Sequence, residues 1–254
     1  KVDEARRRLP GLLVVHYKPP LPGSYSVLTY NVCWESTVPI SHGFGALGHT
    51  CRKNVNVCRG NVISLIKAAD ADFVALQEVP IEMFSVLRAA LSSEYHMDEM
   101  HDVSQFGMEG QMTLWKRNLG FRHTRSVNAT FEHHARPFTV LTFETFQFVN
   151  LHAGHDYGDD YFKALEPHIQ RNTKIVMAGD FNRDMKQFVI AGNRLRCGAG
   201  TTLETCCSLS PKKKHSFAAD HILSNMEFAH ATRALHAPFP SSDHRPVVAN
   251  IYFV

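Results

Sequence analysis

The sequence predicts an α/β domain in which two packed sheets carry helices on their outer faces. Three observations point there. Many short apolar runs rich in β-branched and aromatic residues read as strands, several of them in adjacent pairs. Single stretches of helical periodicity stand between them. No internal repeat, heptad run or break in composition follows Gly23, so the elements belong to one unit.

Residues 1–24 read as a lead-in, charged at Arg6, Arg7 and Arg8 and then rich in proline at Pro10, Pro19, Pro20 and Pro22. Proline lacks an amide hydrogen and suits neither a helix interior nor a central strand. The domain then spans 25–254. Ser26–Trp34 reads as its first strand. Ser41–Gly60 holds Gly43, Gly45, Gly48 and Gly60 and reads as a loop. Across Asn61–Ala71, Val62, Ile63, Leu65, Ile66 and Ala69 recur at helical spacing. Phe73–Leu76 is a continuous apolar run, the mark of a strand buried on both faces. Ile81–Leu91 is helical again. Strands are expected at Gln111–Trp115, Phe121–Val127, Thr139–Phe143 and Phe146–Leu151. Asp159–Gln170 reads as a helix, with Asp159 and Asp160 at the positive end of its dipole. A buried strand at Lys174–Ala178, a short helix at Asp184–Ala191 and strands at Ala219–Leu223 and Pro246–Phe253 complete the chain.

Composition bounds the function. Of the 254 residues, 44% are hydrophobic and 20% charged, which excludes a disordered chain and leaves ample material for a core. No apolar run approaches the roughly 20 residues of a membrane-spanning helix. The net charge of +3 excludes a dedicated polyanion binder and leaves room for one local phosphate site. The six cysteines include no C-x-x-C pair, which argues against a zinc ribbon or a dithiol redox centre; a local Cys51–Cys58 bridge stays open. Asn128-Ala129-Thr130 is a glycosylation sequon, relevant only to a secreted chain. The compartment is unassigned.

The strand ends carry the chemistry. Asn31 follows VLTY, Glu78 follows FVALQ, and Asn150 and His152 lie in FVNLH. Asp180 and Asn182 follow IVMAG, Asp220 opens DHIL, and Asp243 and His244 precede RPVV. Taken alone, Asp180 or Glu78 reads as a helix cap. Six such ends in one chain point to a shared site, because an ionised group at the margin of a core must be paired or bound to a cation. Glu78, Asp180 and Asp243 with Asn31 offer the hard oxygen ligands that Mg²⁺ prefers. His152 and His244 can move protons near neutral pH. No cysteine stands at these ends, which argues against a thiolate-bound metal.

The motifs LTYNV, LQEV, NLHAGHD, MAGDFNRD, ADHIL and SSDHRP, in this order, resemble the endonuclease/exonuclease/phosphatase superfamily from about Ser26 to Val254. That group includes pancreatic deoxyribonuclease, neutral sphingomyelinases, inositol-polyphosphate phosphatases, deadenylases, abasic-site endonucleases and tyrosyl-DNA phosphodiesterase. The resemblance implies a four-layer α-β-β-α sandwich of two mixed sheets flanked by helices. It implies an Mg²⁺-dependent phosphoric-ester hydrolase, with Mn²⁺ able to substitute. Glu78 would be the main metal carboxylate, with Asn31 and Asp243 beside it. Asp180 would orient the attacking water, Asn182 would donate to the phosphoryl group, and His244 would contact the scissile phosphate, oriented by Asp220. His152 stands where the deoxyribonuclease and sphingomyelinase branches carry a second histidine and abasic-site endonucleases carry tyrosine. Glu109, in EGQMTL, resembles a glutamate that pairs with that histidine. Arg136 resembles a phosphate-binding arginine, and Asn150 is expected to bind substrate as well. The expected substrate is a nucleic-acid phosphodiester, the alternative a lipid or small-molecule phosphoester. A basic rim of Arg136 and Lys212–Lys214 would favour the first, exposed apolar loops beside the cleft the second. The chain is expected to act as a monomer without a protein partner.

Overall fold

In strand β1 (Ser24–Asn31) alternate side chains serve different layers: Val27 faces one hydrophobic cluster and Leu28 another. The computed structural model describes residues 21–32, 55–101, 109–131, 136–154, 158–198, 204–206, 218–235, 242 and 244–253. After β1 come α1 (Val55–Ala69), β2 (Phe73–Pro80), α2 (Ile81–Leu91), β3 (Tyr95–His101), β4 (Glu109–Lys116), β5 (His123–Phe131), β6 (Arg136–Phe143) and β7 (Phe146–His152). Then follow α3 (Gly158–Leu165), a 3₁₀ turn (Glu166–His168), β8 (Lys174–Asp180), β9 (Gln187–Ile190), β10 (Asn193–Cys197), β11 (Asp220–Ser224), β12 (Phe228–Ala234) and β13 (Val247–Tyr252).

Among the described residues these strands form two mixed sheets. The six-stranded sheet has the order β12-β13-β1-β2-β4-β3, the seven-stranded one β5-β6-β7-β8-β11-β10-β9. Each has one parallel pair near its centre, β1 with β2 and β7 with β8. Val27, Phe73, Phe148, Val176 and Ile222 fill the space between the sheets. Leu28, Leu76, Val62, Ile66, Met83 and Leu87 close α1 and α2 onto the outside of the first sheet. Leu151, Met177, Tyr161, Phe162 and Leu165 close α3 onto the outside of the second. This is the expected four-layer sandwich. No described helix is long and apolar enough to cross a membrane.

Several elements differ from the sequence reading. Helix α1 starts at Val55, inside the expected Ser41–Gly60 loop; Gly60 sits mid-helix. Its propensity cost, about 1 kcal/mol against alanine, is overridden by the buried stripe Cys58, Val62, Ile66 and Ala69. The expected helix at Asp184–Ala191 is instead strand β9, paired in a hairpin with β10. Its turn residues Ala191 and Gly192 both have positive φ (46° and 76°), the conformation of a tight two-residue hairpin. The helix expected to reach Gln170 stops at Leu165, just before the 3₁₀ turn that contains Pro167. Strand β1 begins at Ser24, one residue inside the expected lead-in. Cys58 and Cys206 each take part in a disulfide; Cys51, Lys212–Lys214, residues 1–20 and the expected strand end at Cys33–Trp34 lie outside the described residues.

Candidate active site

The space between the sheets changes character along its length. Reading every second residue, β1 gives Val27, Thr29, Asn31; β2 gives Phe73, Ala75, Gln77; β7 gives Phe148, Asn150, His152; β8 gives Val176, Ala178, Asp180. Each row runs from apolar to polar, and three of the four end on a residue expected in the site. Asp220 opens β11 directly opposite Asp180, so the antiparallel strand joins from the other direction. His152 is level with Asp180 across β7 and β8.

Glu78 reaches this end through a distortion. Leu76 pairs with Met112 and Val79 with Gly110, so β2 holds one extra residue between them. Glu78 itself has φ 53°, a left-handed conformation that a non-glycine residue adopts at a cost. The bulge re-aims the side chain, as bulges beside functional sites do. Asn31 Nδ2 then donates to Glu78 Oε1 at 3.1 Å and to Asp180 Oδ2 at 3.0 Å.

Asp180 is the centre of the group. Gly179 before it is obligatory, because a Cβ there would stand 2.0 Å from the Leu151 carbonyl oxygen. Asp180 Oδ1 accepts the Asn182 amide N–H at 2.8 Å. His152 Nε2 and His244 Nε2 lie 3.6 and 3.7 Å from Asp180 Oδ2, beyond hydrogen-bond length. Burial, together with the charge of Asp220, pushes the Asp180 carboxyl up to about 7, against the opposing pull of His244, the Asn182 N–H and Asn31.

His244 is held from both sides. Its Nδ1 lies 2.8 Å from Asp220 Oδ2, so the carboxylate accepts and Nε2 is left facing Asp180. Its backbone N–H donates to Ser242 Oγ, whose hydroxyl donates to the Asn31 carbonyl at 2.7 Å. Thr205 Oγ1 accepts the N–H groups of Ala219 and Asp220, and the Thr205 carbonyl accepts from Arg245 N–H. Ser242 thus ties the His244 segment to the end of β1, and Thr205 ties the segment before β13 to the start of β11. Ser242 is visible within SSDH; nothing in the sequence marks Thr205.

Arg136 Nη1 lies 3.0 Å from Nδ1 and 2.7 Å from Nε2 of His152, and His152 Nε2 is 3.7 Å from Glu78 Oε1. Asn182 has φ 51° and donates its side-chain amide to the Ala153 carbonyl at 2.7 Å, leaving the second amide hydrogen for another acceptor. Glu109 pairs in register with Pro80, two residues beyond Glu78; its side chain lies outside the description, as does Asp243, although Ser242 and His244 on either side of Asp243 are buried at the site.

One expected site residue is elsewhere. Asn150 is fully buried between the sheets. Its Nδ2 lies within 3.2 Å of the carbonyls of Leu76 and Met112 and of Thr113 Oγ1, and its Oδ1 accepts from Gln77 Nε2 at 2.8 Å. It clamps β7 to β2 and β4 beneath the cleft and does not face substrate. The sequence sets it among the expected substrate-binding residues; strand alternation places it one rung deeper than His152.

The residues fit a hard divalent cation. Asp180, Asp220 and His244 each bring a ligand atom within 4.8 Å of the others. Asp220 Oδ1 is buried without a hydrogen-bond partner, an arrangement that costs free energy unless a positive group faces it. The Asn31 amide donors stand between Glu78 and Asp180, keeping apart two carboxylates that would otherwise repel.

Comparison with known proteins is consistent with this geometry. The profile of the Endonuclease/Exonuclease/phosphatase family matches residues 28–244. A search of curated protein sequences finds no match. Among solved structures, ANGEL2, a 2′,3′-cyclic phosphatase, superimposes with a TM-score of 0.68 at 16% identity, covering 90% of this chain and 95% of its own. D. rerio TDP2 in complex with a single-strand DNA product gives 0.63 at 13%, covering 90% and 98%. The human Nocturnin catalytic domain with a bound sulfate anion gives 0.62 at 16%, covering 91% and 95%.

Proposed function

The chain belongs to the Endonuclease/Exonuclease/phosphatase family and is a phosphoester hydrolase, and from that premise we propose that it is an Mg²⁺-dependent phosphodiesterase acting on nucleic acid. The observation that carries the proposal is the convergence of Asn31, Glu78, His152, Asp180, Asp220 and His244 at one end of the inter-sheet space. That TDP2 was captured with a single-strand DNA product, and that ANGEL2 is a 2′,3′-cyclic phosphatase, supports a nucleic-acid ester as substrate.

Glu78 and Asn31, with Asp243, would hold the ion. When bound, Mg²⁺ neutralises charge on the phosphate oxygens. Asp180 takes a proton from the attacking water as the water oxygen bonds to phosphorus and the bond to the leaving ester oxygen breaks. His244, with a proton on both ring nitrogens, donates from Nε2 to the phosphate, while Asp220 accepts from Nδ1 and keeps Nε2 turned inward. The second Asn182 amide hydrogen aims at the same phosphoryl group. Arg136 and His152 bind a further phosphate oxygen. Most of the rate comes from positioning and electrostatics, and no covalent enzyme intermediate is needed.

Labelled single- and double-stranded DNA, RNA and sphingomyelin incubated side by side with Mg²⁺ and with EDTA test the reading. Cleavage of a nucleic acid that EDTA abolishes is expected. Cleavage of sphingomyelin alone would overturn the substrate assignment.

A further inference from the structure

The β6–β7 ladder changes just where it reaches the site. The register runs Thr139↔Asn150 and Phe138↔Leu151, which sets Pro137 opposite His152. Proline has no N–H, so this rung cannot close as a normal pair. Instead a tyrosine hydroxyl from the outer layer enters it. Tyr161 Oη accepts the His152 backbone N–H at 3.2 Å and donates to the Pro137 carbonyl at 2.8 Å. Both groups are thereby satisfied without a direct strand-to-strand bond. Gln111, fully buried in β4 of the opposite sheet, donates its amide to the same Pro137 carbonyl at 3.0 Å.

The consequence is positional. Arg136 precedes Pro137, and the Arg136 guanidinium meets the His152 ring. The Tyr161 hydroxyl therefore spaces the two backbones whose side chains form that pair. Tyr161 is fully buried, wedged against Phe138 (ring centroids 5.9 Å apart) and Phe162 (5.5 Å), so it has little freedom to drift. Burial raises its hydroxyl well above the ordinary range, so it stays a hydrogen donor at every working pH.

We propose that Tyr161 is a positioning residue for phosphate binding: its hydroxyl sets the spacing of Arg136 and His152, and Gln111 braces the same carbonyl from the other sheet. This rests on the reading of Arg136 and His152 as a phosphate subsite. Substrate affinity, more than the chemical step, depends on it.

The test is a double-mutant cycle with Tyr161→Phe, Arg136→Ala and the double variant, read as KM, kcat and inhibition by inorganic phosphate. In the wild-type background, Tyr161→Phe is expected to raise KM and the phosphate inhibition constant about tenfold, the worth of one well-placed hydrogen bond, while kcat changes little. In the Arg136→Ala background the same change should move neither constant, because the pair it spaces is gone. Equal losses in both backgrounds, or no shift in either, overturn the proposal. Should Tyr161→Phe fail to fold, Gln111→Leu replaces it: a smaller shift with the same dependence on Arg136 supports the proposal, and none overturns it. Asp180→Asn run alongside separates the two readings. If Asp180→Asn keeps full turnover, the active-site assignment itself falls; if it loses turnover while Tyr161→Phe behaves additively, only this inference falls.

Discussion

The same strands build two opposite ends of the inter-sheet space. At one end Phe73 stacks on Phe148 (5.3 Å between centroids) and on Phe253 (5.7 Å), and Phe143 stacks on Phe146 (4.6 Å). At the other, β1, β2, β7 and β8 deliver Asn31, Glu78, His152 and Asp180 to within hydrogen-bonding or ion-pairing reach of one another. Between them lies a polar middle rung in which Gln77, Asn150, Thr113 and Thr29 satisfy each other. The aromatic end is a source of stability, since buried phenylalanine is worth several kcal/mol. The charged end is a cost, since buried carboxylates are stable only when paired or bound. The middle rung fixes the register that lets one end support the other.

That contrast can be broken by a pair of reciprocal substitutions, which have the largest expected effects. Asp180→Asn should lower turnover about 10²–10⁴-fold with the fold intact by circular dichroism. Phe146→Ala should lower the unfolding free energy by about 3–5 kcal/mol in urea titrations, with turnover per folded molecule unchanged. Finding the two effects exchanged would show that the ends do not divide their work this way.

A smaller effect sharpens the charged end. Asp220→Asn acts chiefly through the orientation of His244, so it should cost roughly 10²-fold in kcat. In the His244→Ala background it should cost little more.

A further effect is on stability against pH. Asp180 has an ordinary value of 3.8 and is raised to about 7 in the folded protein. A raised carboxyl means that the folded state binds the extra proton, so its stability declines as pH climbs from about 4 towards 7. In EDTA, the melting temperature of Asp180→Asn should therefore gain on that of the wild type across this window, by the equivalent of a few kcal/mol at pH 8. The gap should vanish near pH 3.5. A gap that shrinks as pH rises would contradict the burial of an ionisable carboxyl there.

Much of this architecture is legible in the sequence where alternation and apolar runs are strong. FVALQ, IVMAG and FVNLH each announce a buried strand that ends in a polar group. Less visible are the strands whose pattern is diluted by polar residues. Tyr95–His101, Asn193–Cys197 and Phe228–Ala234 carry His, Asp, Glu or Arg among their apolar positions, and β3 and β12 lie at sheet edges where one side meets solvent. Helix α1 hides behind Gly60, and strand β9 hides in a segment whose apolar residues fit either period. At the site, residue types and order suggest the carboxylates and histidines, but not the geometry that joins them. The bulge at Glu78, the left-handed Asn182 and the Tyr161 hydroxyl in the β6–β7 ladder arise from contacts between segments far apart in the chain. Asn150 shows the converse: a polar residue one rung below a site looks the same in sequence as one that lines it.

The claim on which the rest depends is that these groups gather around one divalent cation. Its most direct measurement is calorimetric titration of the metal-free protein with Mg²⁺, paired with hydrolysis of bis-nitrophenyl phosphate, for wild type and Glu78→Gln. One bound ion per chain, with activity that appears as the ion binds and is lost together with it in Glu78→Gln, is the predicted result. Hydrolysis that persists after thorough chelation, or Mg²⁺ binding that Glu78→Gln leaves unchanged, would contradict it.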